Sequence, residues 1–334
     1  MKHQIAILGY GTIGKGVFQI LKEKEDFEIK YVFDRKINFN PEHINLFTDN
    51  FDDILNDDNI EIVVEVLGGF DFAYDCIKKC LLKKKSVVSA NKEVVALKID
   101  ELLDLAQKND VKFLFEASVG GGIPIIKPLE EIVRTSDVEA IYGILNGTTN
   151  YILTKMFEGM SFETALKEAQ RLGFAEKDPT ADLQGLDMIR KINILADLAW
   201  NIKIDLDKVG HLGIDIIKEV DINYALEKNW KIKYICSAKK VDNDIELGVY
   251  PYYLDNKHPF YGIDNEFNAI MLKTRPNDDL IFIGKGAGSL PTASAIVGDM
   301  YAIIKDFKFD HYKNENDYQC HPLNNQKITK LEVI

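Results

Sequence analysis

Ile5-Ala6-Ile7-Leu8-Gly9-Tyr10-Gly11-Thr12-Ile13-Gly14 joins four consecutive apolar residues to a G-x-G-x-x-G pattern. The apolar run reads as a buried strand, and the spacing of apolar residues from Ile13 to Leu21 reads as the helix that follows. In that setting each glycine has a separate use. Gly9 permits the tight turn, and Gly14 lets the helix pack closely on the sheet. Gly11 lets the backbone approach a pyrophosphate at the helix N-terminus, where the free N–H groups around Thr12 and Ile13 favour negative charge. Ile29 to Phe33 reads as a second strand, and Asp34 closes it twenty residues after Gly14. An acid there accepts hydrogen bonds from both hydroxyls of an adenine ribose and repels a 2′-phosphate. Arg35 and Lys36 follow directly and offset that repulsion, so the turn favours NAD and leaves NADP open.

Outward from this turn, apolar runs alternate with helical periods. Ile60 to Leu67, Ser86 to Ser89 and Val111 to Phe115 read as strands, and Phe72 to Leu82 and Leu102 to Asn109 as helices. Continuous apolar strands separated by helices imply a Rossmann-type α/β domain, a doubly wound parallel sheet covered on both faces. After Gly120-Gly121-Gly122 the character changes. Pro124 to Val133 reads as a helix and Val138 to Leu145 as a strand, followed by helices through Trp200. Long strands then cover Trp230 to Val241, Glu246 to Tyr253, Glu266 to Lys273 and Leu280 to Ile283. This is an α+β domain with a mostly antiparallel sheet. The last helical pattern, Pro291 to Phe307, is expected to return to the first domain. The division is therefore 1–130 with 285–334 for nucleotide binding, and 131–284 for catalysis and dimerisation.

The chain has 334 residues and a formal net charge of -12. That balance argues against nucleic acid or an anionic membrane as partner, since both call for a concentrated basic surface. Lys83, Lys84 and Lys85 form one basic run, expected as a solvated helix end. Cys76 and Cys80 share a helix face, with no second pair or nearby histidines to complete a zinc site, and read as reduced apolar fillers. No apolar stretch reaches the roughly 18 residues of a membrane span. A cytoplasmic location is expected.

Four further stretches carry chemistry. Gly173-Phe174-Ala175-Glu176-Lys177-Asp178-Pro179-Thr180-Ala181-Asp182 leads into Asp187 and Lys191, four residues apart on one face of a helix that is apolar nearly all round. Leu183, Ile194 and Leu198 are expected on the same face. Charges planted in a buried helix are either a structural salt bridge or a functional pair. A buried lysine can act as acid or base near neutral pH, and Glu176 and Asp182 supply anionic partners for a cationic substrate group. Lys92, in Ser89-Ala90-Asn91-Lys92-Glu93, follows a parallel strand at its C-terminal end, where open α/β sheets bind ligands. Asn146-Gly147-Thr148-Thr149-Asn150 is a polar strand-to-helix turn suited to a carboxylate. Gly284-Lys285-Gly286-Ala287-Gly288-Ser289-Leu290-Pro291 allows close backbone approach to a ligand.

Together with E-V-L-G-G at Glu65 to Gly69 and E-A-S-V-G-G-G-I-P at Glu116 to Pro124, this set resembles the homoserine dehydrogenase family from Gly9 to about Asp299. The resemblance implies NAD(P)-dependent interconversion of L-homoserine and L-aspartate 4-semialdehyde, in threonine, methionine and isoleucine biosynthesis. It implies catalytic roles for Lys191 and Lys92, with either as the proton carrier. It implies substrate contacts at Glu176, Asp187, Asp182, Gly147 and Thr148, and cofactor contacts at Gly68, Lys92 and Gly288 beside the glycine turn. Backbone carbonyls of Glu116, Val119, Gly121 and Ile123 resemble the family's monovalent-cation site, for Na+ or K+. A homodimer or homotetramer is implied, with the strands near 232–253 as interface. Phe174 replaces a tyrosine common in the family, and Phe33 an arginine common in members that use NADP. The short run after the last helix implies a form without the C-terminal ACT domain. The competing readings are another dehydrogenase on the same scaffold and a catalytically silent nucleotide sensor.

Overall fold

A computed structural model describes residues 2–35, 41–307, 309 and 318–331. Lys36, the second residue expected to offset a 2′-phosphate, lies outside the described residues. The chain divides into two compact units, 1–127 with 287–311 and 128–286 with 312–334.

The first unit begins with β1 (His3–Leu8), α1 (Thr12–Leu21), β2 (Phe27–Phe33), β3 (Phe47–Thr48) and α2 (Phe51–Leu55). It continues with β4 (Ile62–Glu65), α3 (Asp71–Leu82), β5 (Ser86–Ser89), α4 (Lys92–Lys108) and β6 (Phe113–Leu114). The six strands form one sheet in the order β3-β2-β1-β4-β5-β6. Every pairing in it is parallel. β4 and β5 are buried along their whole length, as expected of parallel strands covered on both faces: Ile62, Val63, Val64 and Glu65 are all buried. The order reverses between β1 and β4, the switch point beyond whose C-terminal strand ends open α/β sheets bind ligands.

Two local expectations are corrected in this unit. Helix α4 starts at Lys92, ten residues before the expected Leu102, because Asn91 caps it through its side-chain oxygen on the N–H groups of Glu93 and Val94. Lys85 is not a solvated cap: it is buried, and its ammonium donates to the carbonyls of Asp57 at 2.6 Å and Ile60 at 3.4 Å. Burial holds its pKa below that of an ordinary lysine.

α5 (Ile126–Thr135) straddles the division between the units. The second unit then runs β7 (Asp137–Ile144), α6 (Gly147–Phe157), α7 (Phe162–Arg171), α8 (Thr180–Leu183), α9 (Leu186–Trp200), β8 (Gly210–His211) and α10 (Glu219–Glu227). It ends in β9 (Trp230–Val241), β10 (Asp244–Asp255), β11 (Phe267–Arg275) and β12 (Asp278–Lys285). The chain re-enters the first unit as α11 (Ser289–Ile304), whose Ile296 and Met300 join Ile5, Ile7, Val17 and Phe18 in one apolar cluster. It packs tightly on α1: a Cβ at Gly16 would lie 2.8 Å from the Ser289 carbonyl oxygen.

The second sheet runs β12-β11-β7-β9-β10 with antiparallel pairings throughout. The outer side of β10 is met in parallel by three short strands laid end to end: β13 (Gln319–Pro322), β8 and β14 (Thr329–Lys330). The tail therefore belongs with the second unit and not with the first, as the sequence division had it. Strand β10 is twelve residues long and its outer backbone groups need partners, which the tail supplies.

Candidate active site

At the end of β1 the Gly9 backbone is left-handed, with φ +104°, and a Cβ there would lie 2.8 Å from the Val66 carbonyl oxygen. A Cβ at Gly14 would lie 2.0 Å from the Gly9 carbonyl oxygen, so α1 sits against the turn only because both residues lack side chains. Gly11 differs: nothing lies within 4 Å of the position its Cβ would take. Gly68 and Gly69 likewise face open space after β4. The tight positions close the turn and the open ones leave a backbone surface that a pyrophosphate can approach. Asp34 follows β2, and its carboxylate accepts from the Tyr10 N–H at 2.9 Å, tying the end of β2 to the middle of the turn. The Arg35 guanidinium lies 3.7 Å from the centre of the Phe72 ring. Ser289 of α11 donates to the Thr12 carbonyl at 2.7 Å, which brings the adjacent Gly288 to the same end of α1. These residues fit a dinucleotide.

Lys92, partly buried, is the first residue of α4, just past β5. Glu116 is buried, and its carboxylate caps the start of α5 by accepting from the N–H groups of Ile125, Ile126 and Lys127 at 2.6, 2.7 and 3.1 Å. Asp299 of α11 accepts from the Glu116 N–H at 2.8 Å and pairs with Lys127 at 2.5 Å. Burial raises the Asp299 carboxyl to about 6 against the pull of Lys127. Glu116 opens a 3-10 turn over 116–118, and after it the Ile123 N–H donates to the Gly120 carbonyl at 2.9 Å. Carbonyl oxygens such as those of Glu116, Val119, Gly121 and Ile123 are the donor type that a hard cation takes.

In the second unit, Gly185 takes φ +81° and separates α8 from α9. Leu183 therefore ends the short α8 and does not share the α9 face. Asp187 and Lys191 stand one turn apart on α9, with 4 % and 9 % of their surface exposed. The Lys191 ammonium donates to Asp187 Oδ2 at 2.7 Å and to the Leu145 carbonyl at the end of β7, also at 2.7 Å. Asn146 follows Leu145 and caps α6 with its side-chain oxygen, which accepts from the Thr149 N–H at 2.9 Å. Its amide nitrogen donates to Asp182 at 2.7 Å and to Asp187 at 3.0 Å. Two carboxylates, one ammonium and one amide thus meet where β7 gives way to α6. Thr148 donates to the Phe174 carbonyl at 2.5 Å and so anchors the 172–179 loop. Gly147 opens α6, where a Cβ would meet the Glu266 carbonyl oxygen at 2.9 Å. Glu176 is exposed in that loop, where its backbone carbonyl accepts from Gln170 at 3.1 Å. Its carboxylate is not part of the Lys191 cluster.

Residues 9–116 match a family profile described as homoserine dehydrogenase, NAD binding domain, and residues 124–301 one described as homoserine dehydrogenase. The homoserine dehydrogenase of Bacillus subtilis is 38% identical over 321 residues, which are 91% of this chain and 73% of that one. The Synechocystis homoserine dehydrogenase is 38% identical over 320 residues, 91% of this chain and 74% of its own. The crystal structure of a homoserine dehydrogenase from Thiobacillus denitrificans superposes with a TM-score of 0.89 at 32% identity, covering 96% of this chain and 80% of that chain. A hyperthermophilic archaeal homoserine dehydrogenase in complex with NADPH gives 0.79 at 26% identity, covering 92% and 99%.

The chain belongs to the homoserine dehydrogenase family. It is, with the family, an NAD(P)-dependent oxidoreductase with a Rossmann-type sheet and a second, mixed sheet. Against that background two residues stand out that spacing along the chain did not single out. Asn146 was read only as the first residue of a polar turn; it joins Asp182 and Asp187, which lie 36 and 41 residues away, so no local pattern reveals that bridging role. Glu65, quoted only as the start of the Glu65–Gly69 motif, is a fully buried carboxylate ending an otherwise apolar strand, and that conflict signals a role of its own.

Proposed function

We propose that the chain interconverts L-homoserine and L-aspartate 4-semialdehyde, and that Lys191 handles the proton. The observation that carries this reading is the Lys191–Asp187–Asn146–Asp182 cluster, a buried ammonium held by a carboxylate, a carbonyl and a bridging amide. A structural salt bridge needs only the pair. Here the same carboxylate takes two donors at a helix start, an arrangement that fixes the ammonium in one direction.

A bound nicotinamide supplies the hydride to the aldehyde carbon or removes it from the alcohol. In the reductive direction Lys191, as ammonium, stabilises the growing negative charge on the substrate oxygen and delivers a proton to it. Asp187 orients that ammonium and supports its charge. In the oxidative direction Lys191 in its neutral form takes the hydroxyl proton. Asp182 and Glu176 accept from the substrate's donors, and Gly147 and Thr148 hold its carboxylate at the α6 N-terminus. Lys92 is the second catalytic lysine, and the choice of proton carrier between the two falls on Lys191 because of its fixed hydrogen bonds.

The cofactor rests on Gly9, Gly11, Thr12, Ile13 and Gly14, with Gly68 and Gly288 alongside. Asp34 favours NAD, while Arg35, stacked on Phe72, keeps NADP usable. The carbonyls of Glu116, Val119, Gly121 and Ile123 hold Na+ or K+. The activity serves threonine, methionine and isoleucine biosynthesis in the cytoplasm, in a homodimer or homotetramer. Among the described residues no helix is long and apolar enough to cross a membrane.

The test is a spectrophotometric assay of the purified chain with NADH or NADPH and aspartate semialdehyde, and with the oxidised cofactors and homoserine. Turnover of both substrates supports the assignment. Cofactor binding without turnover would indicate the silent sensor, and turnover only of a different amino alcohol another dehydrogenase.

A further inference from the structure

We infer that Glu65 is a positioning residue for cofactor binding: its buried carboxylate pins the turn after β4 and the first turn of α4 into one surface facing the glycine-rich turn. The carboxylate is surrounded by donors from both elements. The Leu67 N–H donates to Oε1 at 2.7 Å, and the Ser89 hydroxyl to Oε2 at 2.5 Å. The Asn91 side chain also bonds it. Ser89 in turn accepts from the Asn91 N–H at 3.0 Å. Asn91 then reaches two ways: its amide nitrogen donates to the Gly69 carbonyl at 2.8 Å, and its amide oxygen caps α4.

The connection extends to the first strand. Val66, next to Glu65, donates its N–H to Leu8 at 2.9 Å, and its carbonyl oxygen fills the space that a side chain on Gly9 would need. One carboxylate thus sets the relation among the Gly9–Gly14 turn, the open Gly68–Gly69 turn and the start of α4, where Lys92 is the first residue. An apolar side chain would fill this position at lower cost, because a fully buried carboxylate loses its hydration. Burial raises the Glu65 carboxyl to about 7, against the hydrogen bonds from Ser89, Leu67 and Asn91 that favour the charged form. What the acid provides, and a hydrocarbon would not, is convergence of these donors on one point.

Glu65→Gln is the direct test. Its amide can still accept from Leu67, but its NH2 group would face the Ser89 hydroxyl and leave that hydroxyl's proton without an acceptor. The KM for NAD(P)+ should rise about three- to tenfold, as for the loss of one hydrogen bond, with the homoserine KM within about twofold of the parent. The melting temperature should not fall. Ser89→Ala, which keeps the carboxylate, should shift the same constant in the same direction by less. Unchanged cofactor KM and kcat in Glu65→Gln would overturn the inference, and so would a lowered melting temperature with unchanged kinetic constants. Should Glu65→Gln fail to fold, Ser89→Ala decides by the same criteria. The inference rests on the cofactor lying on the glycine turn. A fluorescence titration with NADPH separates the two failures: no binding by the parent defeats that reading, and equal binding by parent and variants defeats this one.

Discussion

Replacing Lys191 by alanine should separate chemistry from stability, because the structure assigns the ammonium two jobs. It is the proton carrier of the proposed reaction, and it neutralises Asp187, which is 4 % exposed. For the first job, loss of a proton-transfer group lowers turnover by roughly 10²–10⁴, equivalent to about 3–5 kcal/mol of transition-state stabilisation. For the second, removing one partner of a buried pair leaves an uncompensated charge, at a cost of about 3–5 kcal/mol. The Asn146 amide still donates to Asp187 at 3.0 Å, which places the expected loss at the lower end of that range. A second variant then uncouples the two effects. Lys191→Met with Asp187→Asn removes both charges at nearly constant volume, so stability should return to within about 1–2 kcal/mol of the parent. Turnover should stay down by the full factor. Single-turnover kinetics with a bound nicotinamide and chemical denaturation would measure the two quantities on the same samples. Turnover near the parent's in a folded Lys191→Ala protein would refute the proton role. Recovery of turnover in the double variant would show that the lysine matters only as a counter-charge.

Other outcomes follow from the same geometry. Asn146→Ala should lower kcat/KM by at least about tenfold and also lower the melting temperature, since it removes a helix cap and two hydrogen bonds to carboxylates; circular dichroism melts and steady-state kinetics would check both. Gly11→Ala should fold normally yet bind cofactor poorly, because its new methyl points into open space, whereas Gly14→Ala should be destabilised by its clash with the Gly9 carbonyl; equal melting temperatures for the two would contradict this. For Glu65 the folded carboxyl holds its proton up to about 7, against an ordinary value of 4.5. Its contribution is therefore full below about pH 4.5 and lost as pH rises through about 7, a change of about 3 kcal/mol from the difference 7 − 4.5. Glu65→Gln should flatten that decline in a pH series of denaturant melts. The neighbouring Cys76 thiol, pushed up to about 12 by burial, does not titrate in that window.

How far the sequence could be read depended on the range of each interaction. The parallel sheet was legible because its strands are continuous apolar runs, buried on both faces. Asp187 and Lys191 were legible because a spacing of four in an apolar helix is a local pattern. The start of α4 was missed because its signal is one capping asparagine ahead of Val94-Val95-Ala96-Leu97, a consecutive apolar run and not a helical period. The break before α9 was missed because Gly185 acts through a left-handed backbone, which a helical period does not register. Asn146 gathers partners from another segment, and Glu65 works through a serine 24 residues on. No periodicity encodes such meetings. The tail was misassigned for the same reason, since Gln319–Pro322 has little strand character of its own and forms a strand because β10 offers it a ladder.

That ladder has a practical consequence for handling the protein. Leu323 and Leu331 extend the pairing of the tail to Leu247 and Tyr253, and the Tyr250 hydroxyl closes on the Leu323 carbonyl. The segment from Gln319 onward acts as a selvedge that keeps the outer cords of β10 from fraying into a neighbour. A chain cut before it would present much of a long, largely apolar strand to any other copy in solution, so the yield of such a truncation would be governed by precipitation long before its chemistry was affected.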